Sequence, residues 1–497
     1  MTKTIYLVNA ANDESIASIA NDYSFPALNI LALGTWLKAA FPDIEIICRD
    51  GGICGTELIQ REINTFKPWL VGIGALCTSY HTALELARIA KSVGAYTVFG
   101  NDHAAHLSRQ IVRNRPDVDF VIAAEYGEYA LELLVRELLD GVGDFAGIAS
   151  LTYRTPRGQA AGFDYTTQKD TLAIANLPFQ AAKQRKGALD IFPTVDRSLY
   201  PQYMWDSYLE NYKSAFGHLH GDHVPTGITT MNRARGCSRA NENIKCKHCD
   251  MLLDVSFSSG NRFWDEVRTA NAQVKSEVFY EVCDSLTSFP RFIRDVVKSK
   301  PDDRDFDPMF FIYGQALDII RNDDLGDLLA ELNVFKLNIG LESGCDRTLK
   351  HMKGPKDSVE INETALRILK SRGINVYGSF VLGTEPETSE TLRTTVDWIK
   401  RIIDEGLISD VEAQPILPLH NNHYGKQLFS SYNPKTEDDW PIDIDEVSRE
   451  YISRHSGVSY DDCISAANEI RQHARQGQIN FGSGLSKKEN YSVEVVA

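Results

Sequence analysis

The sequence lacks three features that would each place the protein in a different class. No apolar run approaches the ~20 residues needed to cross a bilayer. Basic residues are in the minority, since 52 Lys and Arg face 68 Asp and Glu and give a formal net charge of −16. We therefore expect neither nucleic acid nor an anionic membrane as a main partner. Because Met1–Thr4 leads straight into a predicted strand rather than a signal peptide, we expect a cytoplasmic location.

Cysteine is also sparse, and its distribution is uneven. The chain has nine cysteines, an odd number, which suits reducing conditions and a metal site better than a disulfide framework. Cys237, Cys246 and Cys249 are clustered in the pattern C-x8-C-x2-C, directly after Thr226–Met231, an alternating β-branched run that predicts a strand. We place these cysteines on a loop at the carboxyl end of that strand, the edge that carries the active site in β/α barrels.

Three thiolates leave two interpretations open. A structural zinc site usually has four ligands, whereas an iron–sulfur cluster held by three cysteines leaves one iron free for a substrate or cofactor. A zinc knuckle with His248 as fourth ligand is the alternative, although adjacent His248 and Cys249 are awkward tetrahedral partners. The open iron favours catalysis.

Strand and helix patterns alternate regularly from Thr226 to about Leu419. Short apolar strands are predicted at Val278–Ser285 and Met309–Gly314, and each is followed by a helical pattern. This alternation predicts a parallel sheet in the form of an open six-strand partial barrel. Asp284, at the end of the second strand, either caps a helix or faces a substrate, and the sequence does not separate the two.

The cysteine loop resembles that of the radical SAM superfamily. The family's loop also follows the first barrel strand, but its usual spacing is the tighter C-x3-C-x2-C with an aromatic residue before the last cysteine. By this resemblance Cys237, Cys246 and Cys249 hold a 4Fe-4S cluster, and His248 takes the aromatic place beside the adenine of S-adenosylmethionine.

Two later stretches are similar to the same superfamily. Phe335–Gly344 and the residues after it resemble the fourth barrel strand and its loop, and this implies that Glu342 and Ser343 face bound S-adenosylmethionine. Gly373–Thr388 resembles the fifth strand and its turn, with Glu385 in the usual proline place. Three such pieces in the family's order are a more specific pattern than any one of them.

The first third of the chain has the strand–helix alternation of a flavodoxin-like, doubly wound sheet. It resembles the cobalamin-binding domain that precedes many radical SAM cores. Pro26–Leu37 matches that domain's entry helix, and Phe99–Ala104 matches a turn that includes Gly100 and His103. The resemblance implies that Gly100 and His103 contact cobalamin, although a histidine at this place is more often a turn residue.

One motif of cobalamin proteins is altered here. Proteins that supply a lower axial ligand carry D-x-H-x-x-G, and this chain keeps Asp50 and Gly55 but has Gly52 in the histidine place. By resemblance Asp50, Gly52 and Gly55 bind cobalamin without an imidazole from this loop. The alternative is a glycine-rich strand-to-helix turn that binds nothing.

The length of 497 residues allows two to four domains. We predict an α/β protein with a cobalamin-binding Rossmann-like domain at 1–152, a packed connector at 153–223, a radical SAM core at 224–419 and a C-terminal region at 420–497. His420 and His423, at the start of the last region, are expected at the surface, and the alternative is a place at the substrate mouth.

The resemblance implies an enzyme that uses a 4Fe-4S cluster, S-adenosylmethionine and cobalamin. The expected reaction is methylation of an unactivated carbon in a natural-product or peptide substrate, with an electron donor such as flavodoxin or ferredoxin as partner. One alternative is a rearrangement or oxidation without methyl transfer. A second, of another class, is a non-catalytic zinc-binding interaction protein. No acid or base residue for catalysis is identified from the sequence.

Overall fold

The computed structural model describes residues 3–13, 23–124, 127–164, 187–239, 243–251, 255–302, 306–430, 444–477 and 480–481. It contains two seven-stranded sheets and one separate two-stranded pair, so the predicted α/β class with two parallel sheets is confirmed. In the parts of the chain that are described, no helix has both the length and the apolar character needed to traverse a membrane.

The first sheet has the order β2-β1-β3-β4-β5-β6-β7 and is parallel from β2 to β5. Its strands are β1 (Thr4–Asn9), β2 (Glu45–Asp50), β3 (Leu70–Gly74), β4 (Tyr96–Gly100), β5 (Phe120–Ile122), β6 (Leu151–Arg154) and β7 (Ala160–Gly162). The central strand β3 is buried along its whole length, as expected for a parallel strand with helices on both faces. An antiparallel hairpin of β6 and β7 extends the sheet beyond residue 152.

Among the described residues, seven α-helices accompany this first sheet. They are α1 (Leu28–Ala40), α2 (Gly51–Cys54), α3 (Thr56–Phe66), α4 (Tyr80–Ser92), α5 (Asp102–His106), α6 (Ser108–Asn114) and α7 (Gly127–Asp140). The sequence at 125–128 loosely resembles the close of the cobalamin-binding domain, and its first two residues lie outside the described ones.

The second sheet has the order β16-β15-β14-β13-β12-β11-β8, and all its strand pairs are parallel. The strands of this half are β8 (Ile228–Met231), β9 (Ala234–Gly236), β10 (Val255–Phe257), β11 (Val278–Glu281), β12 (Met309–Gly314), β13 (Val334–Glu342), β14 (Asn375–Leu382), β15 (Asp410–Pro415) and β16 (Asn480–Phe481). The six predicted strands are present in the predicted order, and the two-residue β16 adds an edge. Strands β9 and β10 form the separate antiparallel pair that carries the start of the cysteine loop.

Eleven α-helices of the described residues accompany the second sheet and the connector. They are α8 (Gln202–Phe216), α9 (Gly260–Val274), α10 (Pro290–Lys298), α11 (Ala316–Arg321), α12 (Leu325–Glu331), α13 (Asp346–Lys353), α14 (Val359–Lys370), α15 (Ser389–Asp404), α16 (His423–Phe429), α17 (Ile444–His455) and α18 (Tyr460–Gln476). Short 3-10 turns occur at Phe145–Gly147, Ala188–Ile191, Arg197–Leu199, Gly217–His220 and Leu286–Ser288.

The connector is anchored to the second sheet by a buried ionic triad. Glu266 on α9 accepts from Arg197 of the connector, with Nη1 and Oε1 2.8 Å apart, and from Arg233 after β8. Arg197 and Glu266 are fully buried, and Arg197 Nε also donates to Thr229 Oγ1 at 2.8 Å. Because an unpaired buried charge is costly, each member fixes the positions of the others.

Near the amino ends of the second sheet's strands, an aromatic cluster surrounds a buried lysine. Lys336 Nζ lies 3.9 Å from the centroid of the Phe216 ring and 3.5 Å from Asp410 Oδ2. Phe216 is the last residue of α8, so the connector helix covers this end of the sheet. The opposite, carboxyl ends of the strands lead to the cysteine loop.

Candidate active site

The cysteine loop begins where β9 ends. The Gly236 N–H donates to Asp284 Oδ2 at 3.0 Å, so Asp284 holds the residue next to Cys237. Asp284 is not the residue that caps the next helical turn, since that cap is Ser285, and the alternative that Asp284 faces a substrate stays a prediction. Farther along, the Cys249 N–H donates to the Cys246 carbonyl at 3.1 Å, which folds the second half of the loop into a turn.

All nine cysteines are free thiols; in the loop Cys237 is buried, and Cys246 and Cys249 are partly buried. Burial raises the pKa of the Cys249 thiol to about 12. Burial also raises the pKa of Cys246, although the cations Lys353 and Arg239 oppose that rise. Thiolate ligands must be deprotonated, so binding of a metal group here would release protons.

The three loop cysteines are the candidate ligands of an iron–sulfur cluster. Within the described ranges, no three His, Cys, Asp or Glu side chains are arranged as a metal site. The chemistry of the set nevertheless suits a cluster, because three free thiols share one loop and two buried cations oppose their negative charge. His248 Nε2 lies 3.4 Å from Glu342 Oε1, and the described residues do not form the four-ligand arrangement of a Cys3His zinc site either. The assignment of the three cysteines as cluster ligands stays a prediction.

Glu342 stands in a strained backbone position at the end of β13. Its φ is 62°, and the register with β14 shifts between Gly340 and Glu342. Strain of this kind in a non-glycine residue is often found at functional sites. The Glu342 carboxylate lies between His248 and Lys353, whose Nζ is 3.5 Å from Oε1. Gly340 makes room for it, since a Cβ there would stand 2.1 Å from Glu342 Oε1.

Ser343 and His248 complete the predicted S-adenosylmethionine residues. The buried Ser343 hydroxyl is 3.0 Å from Thr395 Oγ1 and accepts from the Cys345 N–H at 3.1 Å, so it stabilises the turn after β13. Burial lowers the pKa of His248, although Glu342 opposes the shift. The structure thus brings His248 and Glu342 together, with Ser343 as the next residue in the chain.

A cavity of about 290 Å³ lies where the two halves of the protein meet. The first sheet contributes the strand ends Gly74 and Gly100, and α7 contributes Gly127 and Glu128. The barrel side contributes residues from the region before the cysteine loop, among them Arg235, whose Nη2 is 3.2 Å from Glu128 Oε1. A Cβ added at Gly100 would meet no atom within 4 Å, so this glycine faces open space.

The other residues predicted to contact cobalamin lie outside the lining of this cavity. Asp50 is buried and accepts from Gly52 N at 3.0 Å and from the hydroxyl of Tyr208 on α8. Burial raises the pKa of Asp50. A Cβ at Gly52 would stand 1.7 Å from the Tyr23 ring, so this position has no space for a histidine, and Gly55 closes the turn with a φ of 76°. Cofactor contacts for Asp50, Gly52 and Gly55 stay a prediction.

His103 does not line the cavity, although Gly100, three residues earlier, does. Its ring is buried against Tyr80, with centroids 4.8 Å apart, and lies 6.4 Å from the ring of His420. His420 is less exposed than predicted, because its half-buried ring also stacks on Phe429, with centroids 4.7 Å apart. His423 is exposed, as predicted.

Several residues of the site were not indicated by the sequence motifs. Arg239 on the loop pairs with both oxygens of Asp357, at 2.8 and 2.7 Å, and Gln315 after β12 contacts Cys237. Arg235 pairs with Glu128 across the cavity. Arg235 and Arg239 lie two residues before and after Cys237, and this closeness is the only indication in the sequence that they belong to the site. Their partners are distant in sequence, so no local pattern indicates them.

The chain is similar in sequence to a known family and to several known proteins. Residues 231–399 match the family model described as the Radical SAM superfamily. The chain is 23% identical over 400 residues to the anaerobic magnesium-protoporphyrin IX monomethyl ester cyclase of Rubrivivax gelatinosus, covering 77% of this chain and 63% of the relative. It is 25% identical over 358 residues to an uncharacterized methyltransferase of Pyrococcus horikoshii, covering 69% of this chain and 66% of the relative. The chain thus spans slightly less than two thirds of the length of each.

A solved structure shares the architecture of nearly the whole chain. TsrM, a radical S-adenosylmethionine methyltransferase from Kitasatospora setae solved with cobalamin and a [4Fe-4S] cluster, superposes with a TM-score of 0.68. The match covers 98% of this chain and 94% of TsrM at 15% identity. The structure of TsrM with tryptophan substrate and a SAM analog bound superposes with a TM-score of 0.62 at 16% identity, and the match covers 87% of this chain and 78% of TsrM. At this identity the likeness establishes a shared fold.

Proposed function

We propose that this chain, which belongs to the radical SAM superfamily through residues 231–399, is a cobalamin-dependent enzyme that methylates an unactivated carbon. The observation that carries the proposal is the position of the cavity. Its lining joins Gly100, at the carboxyl edge of the first sheet, to Arg235, which immediately precedes the cysteine loop. A cofactor in the cavity would therefore adjoin the loop.

Each group has candidate residues in the chain. Cys237, Cys246 and Cys249 would bind the iron of a 4Fe-4S cluster, and His248 and Glu342, with the neighbouring serine, would position S-adenosylmethionine. When bound, the cluster and S-adenosylmethionine would supply a radical that removes a hydrogen atom from the substrate carbon, and cobalamin would supply the methyl group. The chain's own part is to orient these groups and to exclude water from the region between the two sheets.

The cavity next to Gly100 would take part of cobalamin, since strand ends of the first sheet line it and Gly100 leaves open space there. The Asp50–Gly55 turn would not supply a lower axial ligand, because the Tyr23 ring fills the space in which a side chain at Gly52 would stand. Support for cobalamin comes from the fold shared with TsrM, whose structure contains it.

The substrate would be a small molecule or a peptide. TsrM is solved with the small molecule tryptophan, which supports the first choice. An electron donor such as flavodoxin or ferredoxin would reduce the cluster.

A second candidate is a radical SAM reaction without methyl transfer. The similarity to the anaerobic cyclase of Rubrivivax gelatinosus favours it, because that relative is named for a cyclisation.

Anaerobic reconstitution with iron, sulfide, cobalamin and S-adenosylmethionine tests the proposal. We expect S-adenosylhomocysteine and 5'-deoxyadenosine to accumulate together with a methylated product. If 5'-deoxyadenosine forms with a modified but unmethylated product, methyl transfer is wrong and the second candidate stands.

The cluster assignment has its own readout. Changing Cys237, Cys246 or Cys249 to Ala should abolish the broad visible absorption and lower iron and acid-labile sulfide, because a cluster with two protein thiolates is poorly held. Cys463→Ala on α18 is the matched control, since it removes a buried free thiol that is not part of the loop. A triple variant that keeps the wild-type iron and sulfide content would contradict the assignment.

A further inference from the structure

Gln315 contacts two residues of the cysteine loop, Cys237 and the buried Arg239. It directly follows β12, at the carboxyl edge of the second sheet. Its Nε2 lies 3.0 Å from Cys237 Sγ, and its Oε1 lies 2.6 Å from Arg239 Nε. All three residues are buried, with Gln315 and Arg239 only 7% and 8% exposed. The contact to sulfur is thus made away from bulk water.

The orientation of the Gln315 amide is fixed by chemistry. A guanidinium donates hydrogen bonds and accepts none, so the amide oxygen must face Arg239. The amide nitrogen is then forced towards Cys237, and the flipped alternative would place two donors against each other. Arg239 is itself held by both oxygens of Asp357 and by the Lys353 carbonyl. The chain Asp357, Arg239, Gln315 therefore directs an N–H at the Cys237 sulfur.

Other polar groups near this sulfur lie farther from it than Gln315 does. Ser288 Oγ lies 3.9 Å from Cys237 Sγ, but it donates to Asp318 Oδ2 at 2.9 Å. The Arg239 backbone N–H is 3.5 Å from the sulfur. Gln315 is accordingly the closest side-chain donor to Cys237 among the residues described.

We propose that Gln315, oriented by Arg239 and Asp357, is a positioning residue that raises the reduction potential of the iron–sulfur cluster held by Cys237. This inference rests on the cluster of the proposed function. Hydrogen bonds to the cysteine sulfurs are among the factors that set a cluster's potential. Reduction adds a negative charge, and a buried N–H dipole aimed at a ligating sulfur stabilises that charge more than it would in water.

Two substitutions at Gln315 test whether the effect comes from the N–H donor, because both remove the donor and keep a side chain of similar size. Gln315→Leu removes the donor. Gln315→Glu keeps the length and the acceptor for Arg239 but points an oxygen at the sulfur. Both should shift the midpoint potential of the reconstituted cluster to more negative values, and Gln315→Glu should shift it further because it adds a negative charge. Iron and sulfide content should stay at the wild-type level.

The measurement is a redox titration of the reconstituted full chain, followed by electron paramagnetic resonance of the reduced cluster. Gln60→Leu is the matched control, since Gln60 donates to Glu85 at the surface and should leave the potential unchanged. A fully loaded Gln315→Leu protein with the wild-type potential would overturn the inference.

Loss of iron in both Gln315 variants would also overturn the inference, because Gln315 would then hold the loop rather than set the potential. If the wild-type chain itself binds no iron and sulfide, the proposed function fails instead. The two failures are therefore distinguishable.

Discussion

The buried triad of Arg197, Glu266 and Arg233 gives a quantitative prediction about the connector. Glu266→Gln keeps the shape of the side chain but removes the charge that two guanidiniums share, at 2.8 Å from Arg197. Breaking a buried ion pair by removing one partner costs about 3 to 5 kcal/mol, because the other charge stays buried without compensation. Here two cations lose the same partner, so we expect the upper part of that range.

The assay is urea denaturation followed by tryptophan fluorescence. Trp205 is a local reporter, since its Nε1 donates to the Arg197 carbonyl at 3.2 Å. Asp397→Asn is the matched control, because Asp397 pairs with Arg393 at the surface and such pairs contribute about 0 to 1 kcal/mol. If Glu266→Gln is no more destabilising than Asp397→Asn, the triad does not anchor the connector.

The triad also predicts a pH dependence. Burial alone would raise the pKa of Glu266, but Arg197 and Arg233 hold it below its ordinary value. A carboxyl with a depressed folded-state pKa stabilises the fold above its unfolded pKa, and this stability is lost as the pH falls through the folded value. The wild type should therefore lose more stability than Glu266→Gln on acidification below about pH 4.5.

Three further predictions concern single residues. Gly340→Ala should weaken S-adenosylmethionine binding at least about tenfold by calorimetry, because the added Cβ would collide with Glu342. Gly147→Ala is the control, because its added Cβ would stand in open space and binding should not change. The cob(II)alamin form should show no nitrogen hyperfine splitting from a lower ligand, since Gly52 supplies none, and a clear triplet would refute this. Burial lowers the pKa of Lys336 to about 8, so the stability of wild type relative to Lys336→Met should rise between pH 8 and 10, and a flat difference would contradict it.

The sequence alone determined the elements and their order. Strands such as Thr4–Asn9 and Met309–Gly314 were predictable because apolar periodicity is a local property that reports which face of an element is buried. The cysteine loop was recognisable for the same reason, since its spacing and its place after a strand are both written within a few residues. Gly52 in the histidine place was also readable, and the structure added only that Tyr23 fills the space beside it.

Tertiary structure decided which distant residues meet. Gln315 and Cys237 are 78 positions apart, and nothing local to β12 indicates that the amide turns towards a sulfur. His420 looked like a surface residue because its surroundings are polar, yet packing against Phe429 half-buries its ring. The cavity likewise exists only because the carboxyl edges of two sheets face each other. Such contacts depend on how whole elements pack, and a periodic pattern reports that an element is buried without naming the partner that buries it.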